Sequence, residues 1–299
     1  MPTLGPQAGT TLFGLLAAAC WGGGDFGGSI SVKRLGGTIP ASLLVVVIGH
    51  LASLLLLVTI ALAHGSALPP ATSAVWGICG GVVSGVSLIA FYFALAGGHM
   101  GSAASVSGLL CAAVPAVVSQ LTDGLARWQQ FVGFALAAAA IWLIASVSDA
   151  GGTSRRTTLL AALSGVGFGV YFVTLRQAGL SGVLWPTACA RVGSAGICTL
   201  LLLLFALQHR RGTPGRAQLL RLDATTVLWI LGGATLDLCG NLSFMQATRL
   251  GRLDVAAVLA SIYPAGTILL AAALLHERTT VRQRWGMALA LPAVVLITL

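Results

Sequence analysis

Two carboxylates interrupt stretches that are otherwise almost free of charge. Asp25 lies within Cys20-Trp21-Gly22-Gly23-Gly24-Asp25-Phe26-Gly27-Gly28, and Asp237 lies near the middle of the apolar run 225–248. An ionisable group at the centre of a membrane-length apolar segment costs at least ~2.5–3.5 kcal/mol on insertion scales. Each aspartate therefore needs a partner, a water-filled cavity or a bound proton. The chemistry open to them is proton uptake and release, or holding a cationic substrate; the structural alternative is a pair with a backbone group or an arginine. Arg191 is that arginine. It cannot shed its charge, so it either neutralises an aspartate or meets an anionic substrate group. His50, in the middle of another apolar run, is either a packed, hydrogen-bonded residue or a proton relay.

Other side chains extend this set. Trp21, one turn before Asp25, could wall a site for a cation or a ring. Tyr92, Asn241 and Gln246 add hydrogen-bonding capacity, and Tyr263 precedes Pro264, which opens a helical turn and frees a carbonyl. Each of these alone is also explained as glue between helices. Gly23 with Gly27 and Gly24 with Gly28 are small-xxx-small pairs that let a second helix backbone approach closely. Asp123, Asp149, Asp223, Asp254 and Glu277 fall at segment ends, where solvated or capping roles suffice.

The segments that carry these residues must lie in a bilayer. Of 299 residues, 57% are hydrophobic and only 8% charged, with a mean hydropathy of +0.96. That leaves too little polar surface to cover a soluble globule. The formal charge of +9 comes from arginines placed singly or in pairs between apolar runs, which is loop patterning and not a nucleic-acid surface. The six cysteines sit in apolar stretches without C-x-x-C spacing, so neither a disulfide framework nor a metal site is expected. The N terminus lacks the basic region of a cleaved signal peptide. No zinc-protease motif, positioned nucleophile or phosphate-binding loop is present, so an enzyme and a nucleotide-driven pump are both disfavoured and no cofactor is expected.

The expected fold is an all-α integral membrane protein of about ten transmembrane helices. They fall at 12–32, 41–63, 75–96, 102–121 and 129–147, then 159–178, 185–207, 225–248, 255–275 and 285–299, each about long enough for ~30 Å of hydrocarbon. Residues 1–147 and 159–299 form the two halves, and 148–158 a polar linker. The connections after odd-numbered helices hold eleven Lys and Arg residues, from Lys33 to Arg284; the even ones hold Arg127, Arg249 and Arg252, with Arg176 at a boundary. Positive-inside places the first set in the cytoplasm and both termini outside.

The halves share local patterns. Leu15-Leu16-Ala17-Ala18 recurs as Leu159-Leu160-Ala161-Ala162, Gly80-Gly81 as Gly232-Gly233, and Pro115 as Pro264. Gln129 to Gly133 answers Arg282 to Gly286. Copies of five helices, an odd number, would lie inverted in the bilayer around a central cavity, an arrangement tied to secondary transporters.

The residues resemble the EamA-type family of the drug/metabolite transporter superfamily along essentially the whole chain. The resemblance rests on Trp21-Gly22-x-x-Asp25-Phe26, Tyr92-Phe93-Ala94-Leu95, Pro115, Pro264, and Glu277-Arg278 followed by Gly286. It implies a helical bundle in the inner or plasma membrane that moves a small-molecule substrate by alternating access, with export favoured and protons as a candidate coupling ion. The first half departs from the pattern: Asp123-Gly124 and Arg127 stand where a Glu-Arg corner is expected. An uptake permease, a channel or a sensory bundle are the alternatives. The expected partners are the lipid bilayer and the substrate, not nucleic acid, with the chain a monomer or homodimer.

Overall fold

The computed structural model describes residues 5–96, 100–145, 155–210, 222–274, 276 and 280–298. Among them the chain forms eleven helices and no strand. The first five are α1 (Pro6–Arg34), α2 (Ile39–Ala63), α3 (Ala71–Ala96), α4 (Met100–Thr122) and α5 (Trp128–Ala145). The remainder are α6 (Arg155–Gly179), α7 (Leu184–Arg210), α8 (Ala224–Leu250), α9 (Leu253–Ala260), α10 (Tyr263–Leu274) and α11 (Val281–Thr298). Helix α6 starts inside the expected linker, and residues 148–154 of that linker lie outside the described residues.

Six segments among the described residues are long and apolar enough to span a membrane: 39–63, 71–91, 155–179, 184–208, 224–250 and 253–274. Shorter apolar helices cover 106–122 and 128–144. Helix α1 falls short on apolarity, not length. Its 29 residues reach ~43 Å at helical rise, but seven glycines and Asp25 dilute its hydrocarbon.

One expected span is broken. The helix foreseen over 255–275 divides into α9 and α10 at Ser261 and Ile262. Pro264 has no N–H to give the carbonyl of Ala260, so that bond of the α-helical ladder is missing at the break. Ser261 instead closes the turn, its Oγ and its N–H both donating to the Ala257 carbonyl at 2.7 and 2.9 Å. Pro115 is also internal, yet α4 runs through it.

The closest packing runs between the two halves of the sequence. Helix α1 lies against α8, α9 and α10; α6 lies against α3 and α4; α2 packs on α7, α4 on α9, and α5 on α11. Small residues make the approach possible. A Cβ on Gly24 would stand 3.1 Å from the Gly233 carbonyl, and one on Gly27 3.2 Å from Gly233 Cα. A Cβ on Gly23 would meet Leu236 at 2.9 Å. Gly28 does not pack as its spacing predicts. Its backbone amide faces Gly233, but its own Cβ position is open space, because the small-xxx-small stripe turns away there.

Loop contacts sort the helix ends into two faces. Thr10 at the start of α1 donates to the Ala247 carbonyl of α8, Trp185 donates to the Ser66 carbonyl, and Gln130 donates to the Ile297 carbonyl. These join the start of α1, the α2–α3 and α6–α7 connections, and the end of α11 on one face. On the opposite face, Arg34 at the end of α1 meets Asp223 and Thr226 at the start of α8. Asp223 also caps α8, as its position suggested, its carboxylate accepting the Thr226 N–H at 3.1 Å.

Candidate functional site

Asp237 is the central residue of α8, and the cluster around it is built from four helices. Arg191 of α7 places Nη2 2.6 Å from Asp237 Oδ2. The contact is short, but neither atom has hydrogen-bond alignment, so it acts as charge against charge. Arg191 Nη1 donates to Nε2 of His50 on α2 at 3.0 Å, and His50 Nδ1 is 2.7 Å from Ser194 Oγ. A guanidinium only donates, so Nε2 must accept and the imidazole proton sits on Nδ1, toward Ser194. His50 is thus neutral in this arrangement. It packs and hydrogen-bonds, as one of its two readings held, and it is 3.9 Å from Asp237 Oδ2.

On the other side of Asp237, Asn241 Nδ2 donates to the Asp237 carbonyl at 2.7 Å and to Oδ1 at 3.3 Å. Asn241 Oδ1 accepts from Tyr171 of α6 at 2.7 Å. The whole arrangement is graded in burial. The Arg191 side chain is 4% exposed, His50 17% and Asp237 34%, so the carboxylate stands at the open end and the cation at the closed one.

Asp25 faces this group from α1. It is exposed, it feels the charge of Asp237 and lies near Tyr263 of α10, and it forms no hydrogen bond or ion pair among the described residues. Thr267 of α10 holds the two helices together just below, donating to the Gly22 carbonyl at 3.1 Å.

Trp21 does not offer the free aromatic wall expected of it. It is 9% exposed and stacks on Phe172 with ring centroids 5.2 Å apart and planes at 7°, while Phe172 lies 4.5 Å from Phe244. Gly240 makes the room, since a Cβ there would lie 2.6 Å from the indole. With Leu175, Met245, Leu253 and Ala256 these rings form a buried apolar plug between the aspartates and the face that carries the start of α1. Gln246 lies ~13 Å along α8 from Asp237, outside the cluster. The side chains of Tyr92 and Pro264, and all of Glu277 and Arg278, lie outside the described residues.

Beyond the plug lies a second charged group that helix-end reasoning missed. Arg176 at the end of α6 grips Asp123 through both oxygens, at 2.7 and 2.8 Å. Arg252 pairs with Asp254, which is fully buried, and also donates to the carbonyls of Asp123 and Gly124. Gln120 donates to Asp254 at 2.8 Å. Solvated roles for Asp123 and Asp254 are therefore corrected: the break before α9 carries Asp254 inward, where Arg252 supplies its counter-charge and Gln120 and the Val255 N–H donate to it. Ser194 and Tyr171 were also missed. A hydroxyl in an apolar run carries no sequence signal until its neighbour across the interface is known.

These features define a class: an all-helical, multi-pass membrane protein with a polar site at mid-span and few charges elsewhere inside. Residues 155–299 match the model of the EamA-like transporter family, which bears out the resemblance to the drug/metabolite transporter superfamily. Members of the family are transporters and not enzymes. No match was found among curated proteins. A crystal structure of another protein superposes with a TM-score of 0.71 at 18% identity, over 96% of this chain and 95% of that one. At that identity the likeness carries the fold alone.

Proposed function

We propose that the protein is a secondary active transporter that exports small organic metabolites or amphipathic compounds across the inner or plasma membrane. It works by alternating access between two inverted five-helix repeats, 1–147 and 159–299, with protons as the coupling ion. The observation that carries this reading is one-sided access. Asp25 is exposed and Asp237 half-buried in the middle of their helices, while the apolar plug and the Asp123–Arg176–Arg252–Asp254 group close the other direction. A channel would need a continuous polar path where that plug lies.

The helix pairing supports the repeat reading. Exchange of the halves maps the α1–α8 packing onto α6–α3, and α4–α6 onto the contacts of α9 and α10 with α1, while α2–α7 and α5–α11 map onto themselves. The test is uptake of a compound panel into proteoliposomes under an imposed pH gradient. Gradient-driven accumulation of a panel member is expected. Equilibration down its own gradient alone, with no response to pH, would rule the reading out in favour of a channel.

A further inference from the structure

The two aspartates are not equivalent, and a charge count of the site says what each is for. Arg191 spends its charge on Asp237 at 2.6 Å, and its Nη1 is bound to His50. His50 is neutral by the donor argument above, with its one proton turned to Ser194, whose hydroxyl is 3.3 Å from the Arg191 carbonyl. Asn241 and Tyr171 add hydrogen bonds but no charge. The α2–α7–α8 side of the site is therefore closed and neutral. What remains is Asp25, exposed and unpaired among the described residues, with Asp237 facing it from α8 and Tyr263 from α10. The nearest cation on its own helix, Lys33, is ~12 Å further along. Beside Asp25, one turn on, the Cβ position of Gly28 is open space.

We propose that the substrate is an organic monocation whose charge seats on Asp25, while Asp237 is a positioning residue held by Arg191. This deepens the transport reading and rests on it for the word substrate, but the seat itself is a binding site that can be measured without transport. One uncompensated negative charge matches one positive charge. With Asp25 ionised, a neutral or anionic ligand would leave it unpaired or face it with like charge, in a setting where charge pairing is worth more than in water. A zwitterion would need an accessible cationic donor for its carboxylate, and Arg191 is 3% exposed, with its charge spent on Asp237 and its unpartnered Nε buried.

The test uses the purified full-length protein in detergent with two probes that carry a fixed charge, tetraphenylphosphonium and benzyltrimethylammonium, and tetraphenylborate as the anion of matching shape. Saturable binding of at least one cation and none of the borate is expected. Asp25→Asn should weaken cation binding at least tenfold with an unchanged or raised melting temperature, since no bond is lost. Asp237→Asn strands Arg191 and cancels the site's net charge, so binding should also fall. The double variant Asp237→Asn/Arg191→Gln removes both members of the pair, restores a net charge of −1 and should recover binding to within about threefold of the parent. Unchanged binding in Asp25→Asn, equal binding of the borate, no saturable binding of either cation, or a folded double variant that does not recover would each overturn the proposal. Binding as described without accumulation in vesicles would sink the transport reading and leave the cation site standing.

Discussion

Arg176 and Asp123 meet through two parallel contacts, Nη2 to Oδ1 at 2.7 Å and Nη1 to Oδ2 at 2.8 Å, tying the end of α6 to the turn after α4. Two-point geometry of this kind is the strong form of an ion pair. Partial burial alone would raise the Asp123 carboxyl. The hydrogen bonds from Arg176 and Ser119 outweigh it and pull the group down to about 2. A carboxyl lowered on folding adds stability that is fully present above its unfolded value near ~3.9 and is lost as pH falls toward 2. The expected contribution is about 2 kcal/mol, since the side chains are only 16% and 21% exposed. Thermal melts from pH 7 down to 2.5 should show the parent losing this increment below pH 4 while Asp123→Asn lacks it throughout. Parallel curves would show the pair contributes nothing.

The aspartates of the site should separate by stability before any substrate is found. Asp237→Asn leaves a guanidinium that is 4% exposed without its counter-charge, and breaking a buried pair from one side costs ~3–5 kcal/mol. Because Asp237 is one-third exposed, the lower end is expected. Asp25→Asn breaks no bond and should leave the melting temperature within ~1 °C or raise it. Equal losses in both variants would mean that Asp25 has a structural partner after all. Denaturation in a single detergent, with both variants run beside the parent, is sufficient.

A third prediction contrasts two glycines. Gly81 of α3 faces α7, and a Cβ there would run into the Ala190 carbonyl and sit 2.9 Å from the Ser194 amide. Both neighbours are backbone, so Gly81→Ala must push α7 away, and Arg191 and Ser194 move with it. A loss of ~2 kcal/mol or more is expected, together with loss of cation binding. Gly28→Ala meets nothing, and an alanine in a helix is favoured over glycine by ~0.5–1 kcal/mol. Stabilisation is therefore expected there. The reverse order of the two effects would contradict the α3–α7 packing.

The parts of this molecule that follow from residue type were readable in the sequence, and the parts that follow from pairing were not. Apolar runs of about twenty residues located the helices within a few positions, because crossing hydrocarbon fixes both length and composition. The two mid-span aspartates stood out because their burial is costly. Arg191 as partner to Asp237 could be named as a candidate, since few charges were available to choose from. The α3–α7 seam also had a signal: Gly77, Gly81 and Gly85 recur every four residues. By contrast, Trp21 looked like a site wall because its register with Asp25 is visible, while Phe172, Phe244 and Gly240, which bury it, lie on other helices. Asp254 looked solvated because it sits at a helix end, and only the inward turn before α9 reveals that it is fully buried.

The aromatic plug carries the last prediction. Phe172 is 5% exposed, stacks on Trp21 and lies 4.5 Å from Phe244, and Cys111 of α4 is buried in the same cluster. Phe172→Ala removes the central ring of the three. If the helices do not collapse into the gap, the cost is ~3–5 kcal/mol, and water gains entry from the face that carries the start of α1. Cys111 reports on that entry, because a thiol in a dry, packed cluster is shielded from reagents. In a background where Cys111 is the one remaining cysteine, the parent should resist a membrane-impermeant maleimide and Phe172→Ala should react at least tenfold faster. Addition of the reagent to sealed vesicles from one side and then the other also reads the orientation, since the faster side must be the one with the even-numbered connections. Labelling that is equally slow in both proteins would mean that the seal lies elsewhere, in the Asp123–Arg176–Arg252–Asp254 group. The same assay with Arg252→Gln would then locate it, because Arg252 ties Asp254 to the carbonyls of Asp123 and Gly124.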